Sequence, residues 1–220
     1  MNIKGSTLAF LEKLKQNNNR EWFQENKALY DAAQQDVKSF VESLIVELSR
    51  FDPHINTDIK ASKCMFRIYR DVRFSKDKSP YKSWLAAGIS IDGRKLDGPE
   101  YYVHIEPNRS FVAVGYWQPK KEHLEAIRQE IDYNFEDFKA VFENNGMDVE
   151  DLSKEDKLQR PPAGYSPDNP AIEVLKHKSF ILLKHLSDKE ITQAFALEHI
   201  VEYYQRTIPF KQFIHQAIEG

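Results

Sequence analysis

The sequence predicts an α+β fold in which a central antiparallel β-meander of four to five strands is flanked by N-terminal and C-terminal helices. Three observations support this class. Apolar residues recur at helical spacing in the first fifty residues, short aromatic and β-branched segments fill the middle, and helical spacing returns after Pro119. Because no linker separates these parts, one domain is expected over 1–220, helical over 1–52, a sheet over 60–117, and helical with a proline-rich loop over 118–220.

The N-terminal part is expected to contain a short helix followed by a long one. Ser6 or Thr7 is suited to cap the first helix. Asn19 is suited to cap the second, which carries apolar residues at helical spacing as far as Arg50. The proline of "DPH", residues 52–54, ends that second helix.

The middle of the chain has segments typical of strands. "FRIYRD", "WLAAGISID", "YYVHIEP" and "SFVAVGYW" are predicted to form the meander, with turns at "DGRKLDGPE" and "PNR", and "SFILLKHL" is a candidate fifth strand. Side chains alternate along a strand, so one face of this sheet is apolar and faces the core. The other face combines ionisable with very small side chains, which leave room for a covering helix or a ligand. It comprises Arg67, Tyr69, Asp71, Trp84, Ala86, Gly88, Ser90, Tyr102, His104, Glu106, Ala113 and Gly115.

Helices are expected again after the meander. "KKEHLEAIRQEID" and "NFEDFKAVFENNG" are predicted to form two of them. The loop "RPPAGYSPDNP" is rich enough in proline to act as a stiff flap. A last helix from Ser187 is expected to break near Thr207–Pro209.

Composition restricts the class of protein. Hydrophobic residues make up 41% and charged residues 30%, which is typical of a globular protein. No apolar run approaches the ~20 residues of a membrane span, and no cleavable signal is apparent, so a cytoplasmic protein without a membrane partner is expected. Cys64 is the only cysteine, which excludes an intrachain disulfide and a Cys-based zinc site. Zinc-protease, P-loop and Rossmann motifs are absent, and neither metal nor cofactor is expected.

Positive charge is concentrated between Lys60 and Lys82. Eight basic and two acidic residues there give a local net charge of +6, in a chain whose net charge is −3. Much of the negative charge lies between Glu130 and Asp156, with ten acidic residues against two lysines. The total charge disfavours a dedicated nucleic-acid binder, although nucleic acid stays open as a partner. A focused positive patch still attracts anions.

The arginines in this stretch indicate an anion site, because guanidinium groups bind carboxylate or phosphate through two parallel hydrogen bonds. The alternative is that Asp71 and Asp77 pair with the arginines and hold the sheet edge together. For a ligand site, Asp71 is expected to orient the arginines. The candidate ligand-binding residues are Arg67, Arg70, Arg73, Lys78, Lys82, Arg20 and Tyr69.

His104 and Glu106 are two residues apart on one predicted strand, so their side chains share a face. A histidine beside a carboxylate can perform acid–base chemistry or supply two metal ligands. The structural alternative is a hydrogen-bonded histidine on a half-exposed sheet. His104, Glu106 and Asp71 are therefore the candidate catalytic residues.

Four segments together point to a family. They are "FRIYRDVRFSKDKSPYK", "NNNREWFQENKALY", "YYVHIEPN" and "PPAGY…NPAIEVLKHKSF". With them the chain resembles, over nearly its whole length, bacterial and fungal proteins catalogued as domain of unknown function 2461. The resemblance implies one domain of this size with no settled activity and no known cofactor. It also implies recurrent residues at Arg20, Trp22, Arg67, Arg70, Asp71, Arg73, Phe74, Ser75, Asp77, Lys78, Pro80, Tyr81 and Lys82.

Three functions are compatible with these observations. The first is a cytoplasmic protein that binds a phosphate- or carboxylate-bearing small molecule or nucleotide through the Arg/Lys cluster beside the open sheet face. The second is an enzyme acting on an anionic substrate, with His104 or Asp71 as the general acid–base and Glu106 as its orienting partner. The third is a protein-interaction module that docks the basic segment on an acidic surface of another copy or of a partner.

Overall fold

The computed structural model describes residues 1–91, 93 and 97–220. Its helices are α1 (Gly5–Gln16), α2 (Arg20–Glu25), α3 (Lys27–Leu48), α4 (Ala61–Cys64), α5 (Lys121–Tyr133), α6 (Phe135–Glu143), α7 (Ile172–Leu175), α8 (Asp188–Thr192) and α9 (Ala196–Glu219), with a 3-10 turn at Val149–Asp151. Its strands are β1 (Leu85–Ile89), β2 (Glu100–Ile105), β3 (Ser110–Tyr116) and β4 (Phe180–Leu186). Within these described ranges, no helix combines the length and the apolar character needed to cross a membrane.

The four strands form one antiparallel sheet in the order β1-β2-β3-β4, with helices at both ends of the chain. This confirms the α+β class. The segment "SFILLKHL" supplies the fourth strand, so its prediction as a strand is also confirmed. The predicted turn "DGRKLDGPE" falls partly on residues 92 and 94–96, which lie outside the described residues.

The prediction of a strand at "FRIYRD" is wrong. The chain forms isolated antiparallel bridges here, from Met65, the residue before this segment, to Ala87 and from Tyr69 to Tyr81. The bridged residues are four positions apart on the first segment, from 65 to 69, and six positions apart on its partner, from 81 to 87. The pairing register therefore changes between them, and a continuous ladder cannot form.

Helix boundaries follow the local signals at some places only. The prediction of Ser6 or Thr7 as the first cap is wrong, because α1 begins at Gly5 with Lys4 as its N-cap. The Asn19 side chain accepts a hydrogen bond from the Trp22 backbone at 2.9 Å, as expected of an N-cap. The predicted break near Pro209 is wrong, because α9 continues through this proline. Tyr204 and Phe210, on either side of it, are fully buried. Their packing offsets the ~3 kcal/mol that an interior proline costs a helix.

The chain folds into two compact units. The first comprises Met1–Lys95, Tyr102–Val112 and Lys184–Glu202, and the second comprises Leu96–Tyr101, Ala113–Leu183 and Tyr203–Gly220. The single domain over 1–220 stays a prediction.

Each unit has its own apolar packing. In the first, α1 and β1 both contact α3. In the second, phenylalanine rings pack together: the Phe138 centroid lies 5.1 Å from that of Phe142 and 5.0 Å from that of Phe213.

Replacing Gly115 by alanine is expected to destabilise the protein by about 2–5 kcal/mol. Gly115 lies in β3 at φ +127, and an added Cβ would stand 2.0 Å from the Phe180 carbonyl oxygen. The expected loss combines the cost of a left-handed backbone with that of overpacking against a neighbouring strand. The measurement is the free energy of unfolding in urea.

Gly146→Ala is the matched control. Gly146 also has a positive φ, +62, but an added Cβ would meet no atom within 4 Å among the described residues. It should lose only the backbone part, about 1–2 kcal/mol. Equal losses in the two variants would show that the approach to Phe180 is not what requires glycine.

Candidate functional site

The segment from Asp71 to Ser79, called here the basic loop, uses its two aspartates to hold two arginines. Asp71 accepts hydrogen bonds from Arg73 Nη2 at 2.6 Å and Nε at 3.0 Å. Arg70 Nη1 pairs with the Asp77 carboxylate. The Arg73 hydrogen bonds lower the pKa of Asp71, which makes this carboxylate a weaker base than an ordinary aspartate.

Further hydrogen bonds close the basic loop on itself. Asp77 accepts from the Ser79 hydroxyl at 2.6 Å and from the Ser79 backbone at 2.9 Å. Lys78 Nζ donates to the Val72 carbonyl at 2.9 Å. The side chain of Lys78 is therefore engaged by the loop itself.

An exposed phenylalanine lies at the surface of this loop. Phe74 is 96% exposed, and the Arg73 guanidinium stacks 5.9 Å from its ring centroid. Phe74 is thus the most exposed of the large apolar side chains in the described residues, and it is flanked by basic residues.

Two tyrosines and two arginines line a cleft in the first unit. This cleft, called here the arginine cleft, has a volume of about 290 Å³. Its lining residues are Arg20, Gln24, Tyr69, Arg70, Val72, Pro80 and Tyr81. Of the predicted ligand-binding residues, it brings together Arg20, Tyr69 and Arg70.

The start of α2 positions Arg20 in this cleft. The Asn18 side chain donates to the Tyr81 carbonyl at 2.9 Å and accepts from the Tyr81 backbone at 3.1 Å. Phe23, one turn into α2, stacks on Tyr81 with ring centroids 4.0 Å apart and 14° between the rings. The helix start that carries Arg20 is thus fixed to the segment that follows Arg70.

The cleft carries more positive than negative charge among its lining residues. Burial and Tyr69 raise the pKa of Tyr81, whereas the positive charge of Arg20 lowers it. Arg20 makes no ion pair with any residue in the described part of the chain. Arg70 shares its charge with Asp77, so the two guanidinium groups leave a local excess of one positive charge.

Two other predicted ligand residues lie elsewhere. Lys82 Nζ donates to the Arg67 carbonyl at 2.8 Å and lies 4.6 Å from the centroid of the Trp84 ring. The Arg67 side chain is exposed. Neither residue lines the arginine cleft.

His104 belongs to a separate group of side chains on β2 and its neighbours. Its ring lies 4.7 Å from that of Phe111 and 4.8 Å from that of Trp84. Its Nε2 is 3.3 Å from Glu106 Oε2, and its Nδ1 is 3.1 Å from the Tyr102 hydroxyl. Burial lowers the pKa of His104, and the Glu106 carboxylate opposes that shift.

Glu106 is held by the turn between β2 and β3. The Ser110 hydroxyl accepts from the Glu106 backbone at 3.2 Å and donates to the Glu106 carbonyl at 3.0 Å. Asn108 has a left-handed backbone, φ +62, and its backbone N–H donates to Asp188 at 2.8 Å. The turn is thereby fixed against the start of α8.

The structure therefore separates the predicted site into three places. Arg20, Tyr69 and Arg70 line the arginine cleft, Asp71, Arg73 and Lys78 lie in the basic loop, and His104 and Glu106 lie among aromatic residues near Lys82. Both ring nitrogens of His104 are engaged by protein groups, which disfavours His104 as a metal ligand.

Some neighbours of these groups were not among the predicted site residues. Gln24 and Tyr81 line the cleft, and Tyr102 bonds to His104. Strand alternation places Tyr102 on the face of His104, a signal that the sequence already contains. Nothing local to Tyr81 or Gln24 indicates that they meet.

Comparison with protein families assigns the chain to a family. The profile of the family described as "Conserved hypothetical protein (DUF2461)" matches residues 6–213. The chain belongs to this family. The match includes the arginine cleft, the basic loop and the His104 group. Searches of curated proteins and of solved structures gave no match.

Family membership confirms the resemblance seen in the sequence and assigns no activity. The description names neither a substrate nor a cofactor. Because one fold can carry many functions, only the chemistry of the site bears on what this protein does.

The Asp77 carboxyl is expected to titrate near pH 2, and Ser79→Ala should raise its pKa towards 3.8. Hydrogen bonds from Ser79, followed by that from Arg70, lower the pKa of Asp77 from 3.8 to about 2. Because the folded-state pKa is depressed, the Asp77 interactions are present above about pH 4 and are lost as the pH falls through about 2. Carboxyl ¹³C NMR on labelled protein measures the titration.

Ser75→Ala provides the control. The Ser75 hydroxyl lies 3.4 Å from Arg70 Nη2 and is not among the groups that shift Asp77. The Asp77 titration should therefore not change in this variant. A wild-type Asp77 that titrates near 3.8 would contradict the loop geometry.

Proposed function

We propose that this protein binds a small ligand carrying phosphate or carboxylate groups in the arginine cleft. The observation that carries the proposal is the convergence of Arg20 and Arg70, fifty positions apart in sequence, on one cleft of about 290 Å³. Guanidinium groups form charge-assisted, bidentate hydrogen bonds to such anions. Two of them in one cleft favour an anion over a neutral ligand.

The other lining residues suit the organic part of such a ligand. Tyr69 and Tyr81 offer hydroxyl groups and ring surface, and Gln24 offers an amide. The volume is close to the lower end of the roughly 300–1,000 Å³ typical of ligand pockets. A single phosphate or carboxylate group on a small organic moiety fits this space better than a long polyanion.

The charge balance refines the ligand set of the proposal. Arg73 and Lys78 are used within the basic loop, and Lys82 contacts Trp84. The proposed anion ligands are therefore Arg20 and Arg70, with Tyr69 beside them. With a single cysteine, buried Cys64, we further propose a cytoplasmic location.

Arg20→Gln is expected to weaken anion binding by about 10- to 100-fold. This is the loss expected when a charge-assisted hydrogen bond of about 1.5–3 kcal/mol is removed. Binding of inorganic phosphate, citrate, glucose 6-phosphate and ADP is measured by calorimetry and by the shift of the unfolding temperature. Arg20 is exposed, so the variant should keep its fold.

Arg73→Gln is the matched control, because it removes the same charge from a guanidinium that pairs with Asp71 outside the cleft. Its affinity should stay within about twofold of wild type, as expected for a screened surface charge. Equal weakening in both variants would assign the effect to general electrostatics. Identical unfolding curves for wild type with every anion would contradict the proposal.

A second candidate function, a protein-interaction module, is favoured by the exposure of Phe74 on the basic loop. In its homotypic form the loop docks on the acidic segment Glu130–Asp156 of another copy. An apolar side chain and flanking cations would then provide contact area and charge complementarity.

Phe74→Ser is expected to abolish salt-sensitive self-association if this second function holds. Sedimentation velocity at low and high ionic strength measures the oligomeric state of wild type and variant. The control is Phe195→Ser, which alters another exposed phenylalanine outside the loop. A wild-type monomer that is indifferent to ionic strength would remove the homotypic form.

A further inference from the structure

A continuous hydrogen-bond chain leads from the interior of the first unit towards its surface. Glu106 Oε2 lies 3.3 Å from His104 Nε2, and His104 Nδ1 lies 3.1 Å from the Tyr102 hydroxyl. Glu106 and His104 are buried, with 8% and 7% exposure, whereas Tyr102 is half-buried. The three residues, two apart along β2 and its continuation, share one face of the sheet.

The chemistry of the partners determines where the protons lie. A carboxylate only accepts hydrogen bonds, so Glu106 holds the proton of a neutral His104 on Nε2. Nδ1 is then an acceptor, and the Tyr102 hydroxyl donates to it. Phe111, stacked at 14° on the histidine ring, fixes the ring orientation that this arrangement needs.

We propose that Tyr102, His104 and Glu106 form a proton relay in which the Tyr102 oxygen is the reacting group. When Tyr102 takes a proton from a substrate O–H, S–H or activated C–H group, its own proton passes to His104 Nδ1. The resulting imidazolium is neutralised by the Glu106 carboxylate. In the reverse direction, Tyr102 donates its proton to the substrate and regains one from His104 Nδ1.

This arrangement has the general form of an activated nucleophile or acid: a reacting hydroxyl, a base within hydrogen-bond reach, and a third group that orients the base. It assigns the contact with substrate to Tyr102 rather than to His104, whose two nitrogens are both engaged. His104 is thus the base that acts through Tyr102, and Glu106 is the positioning residue.

The surroundings of Tyr102 indicate the class of substrate. Phe66 lies 5.9 Å from the Tyr102 ring and 6.3 Å from that of Trp84, and both Phe66 and Trp84 are half-buried. Lys82 Nζ lies 5.6 Å from the Phe66 centroid. Aromatic faces with a neighbouring ammonium group favour a ring-bearing substrate that carries or develops negative charge.

The relay is independent of the arginine cleft, because none of its residues lines that cleft. Its test therefore does not depend on anion binding. It also does not require the substrate to be known, since an activated phenol oxygen reacts with a general acyl donor.

The probe is N-acetylimidazole. Its acetyl group transfers to the Tyr102 oxygen, the phenol proton passes to His104, and the leaving imidazole takes up a proton from water. Peptide mass spectrometry gives the acetylation rate at each tyrosine. Tyr102 is expected to react about tenfold faster than Tyr133, although Tyr133 is 73% exposed. His104→Gln should remove that advantage and leave the Tyr133 rate unchanged.

Glu106→Gln separates the relay from simple accessibility. It keeps the size of the side chain but no longer stabilises the imidazolium, so the Tyr102 rate should fall while circular dichroism stays the same. A Tyr102 rate that is unchanged in both folded variants would overturn the proposal, as would a wild-type rate no faster than that of Tyr133.

A measurement on the wild-type protein covers the case in which the variants do not fold. ¹⁵N NMR of histidine-labelled protein reports which ring nitrogen of His104 carries the proton. The relay requires the Nε2–H tautomer, and Tyr102→Phe should shift the Nδ1 resonance alone. A wild-type His104 protonated on Nδ1 would overturn the proposal without any variant.

Discussion

Asn18 acts as a backbone partner for a distant segment, and the arginine cleft depends on this contact. Its amide satisfies both the N–H and the carbonyl of Tyr81, at 3.1 and 2.9 Å. Buried backbone groups need such partners, because an unpaired group costs about 1–3 kcal/mol. Tyr81 is almost fully buried, and the bridge register breaks beside it. The amide thus replaces a missing strand and also fixes the start of α2.

The contact between Asn18 and the Tyr81 backbone explains how charged residues from two remote parts of the chain meet. The α2 start carries Arg20, and the Tyr81 segment is bridged to the one that carries Tyr69 and Arg70. The Phe23–Tyr81 stack fills the space between them with apolar surface. An anion bound there, as proposed, would contact side chains whose segments are already held together by packing, which lowers the ordering entropy lost on binding.

Much of the fold could be predicted from the sequence, because its signals are local. The N-cap at Asn19 and the strand "SFILLKHL" depend on a few neighbouring residues. The prediction of a strand at "FRIYRD" was wrong for a non-local reason. Its composition suits a strand, yet its partner positions 81–87 impose two registers, and no property of the segment itself reveals that. The predicted break at Pro209 was wrong for a similar reason, because the burial of residues on both sides of this proline overrides its local effect as a helix breaker.

The candidate site follows the same division. The alternation of side chains along a strand predicted that Arg67, Tyr69 and His104 share one face of the sheet. This rule applies only where the strand is continuous. Where the ladder is broken, Tyr69 meets Phe23 and Tyr81, whereas His104 meets Trp84, Tyr102 and Phe111. The local charge of +6 was visible at once. Which of these charges form ion pairs in the basic loop and which line the arginine cleft depends on tertiary contacts, so the sequence alone did not show it.

The His104–Glu106 pair is the remaining physical question, since a buried ionisable pair contributes little to stability compared with apolar residues of the same volume. Such a pair persists only when its hydrogen-bonding capacity is satisfied. Here Tyr102 hydrogen-bonds to the second nitrogen of His104, and Ser110 hydrogen-bonds to the backbone of Glu106. The Glu106 carboxylate and the Tyr102 hydroxyl thus engage the two nitrogens of one buried imidazole. Apolar packing would hold the strand in place without them, so stability alone does not account for the arrangement, whereas the proton relay proposed for Tyr102 would.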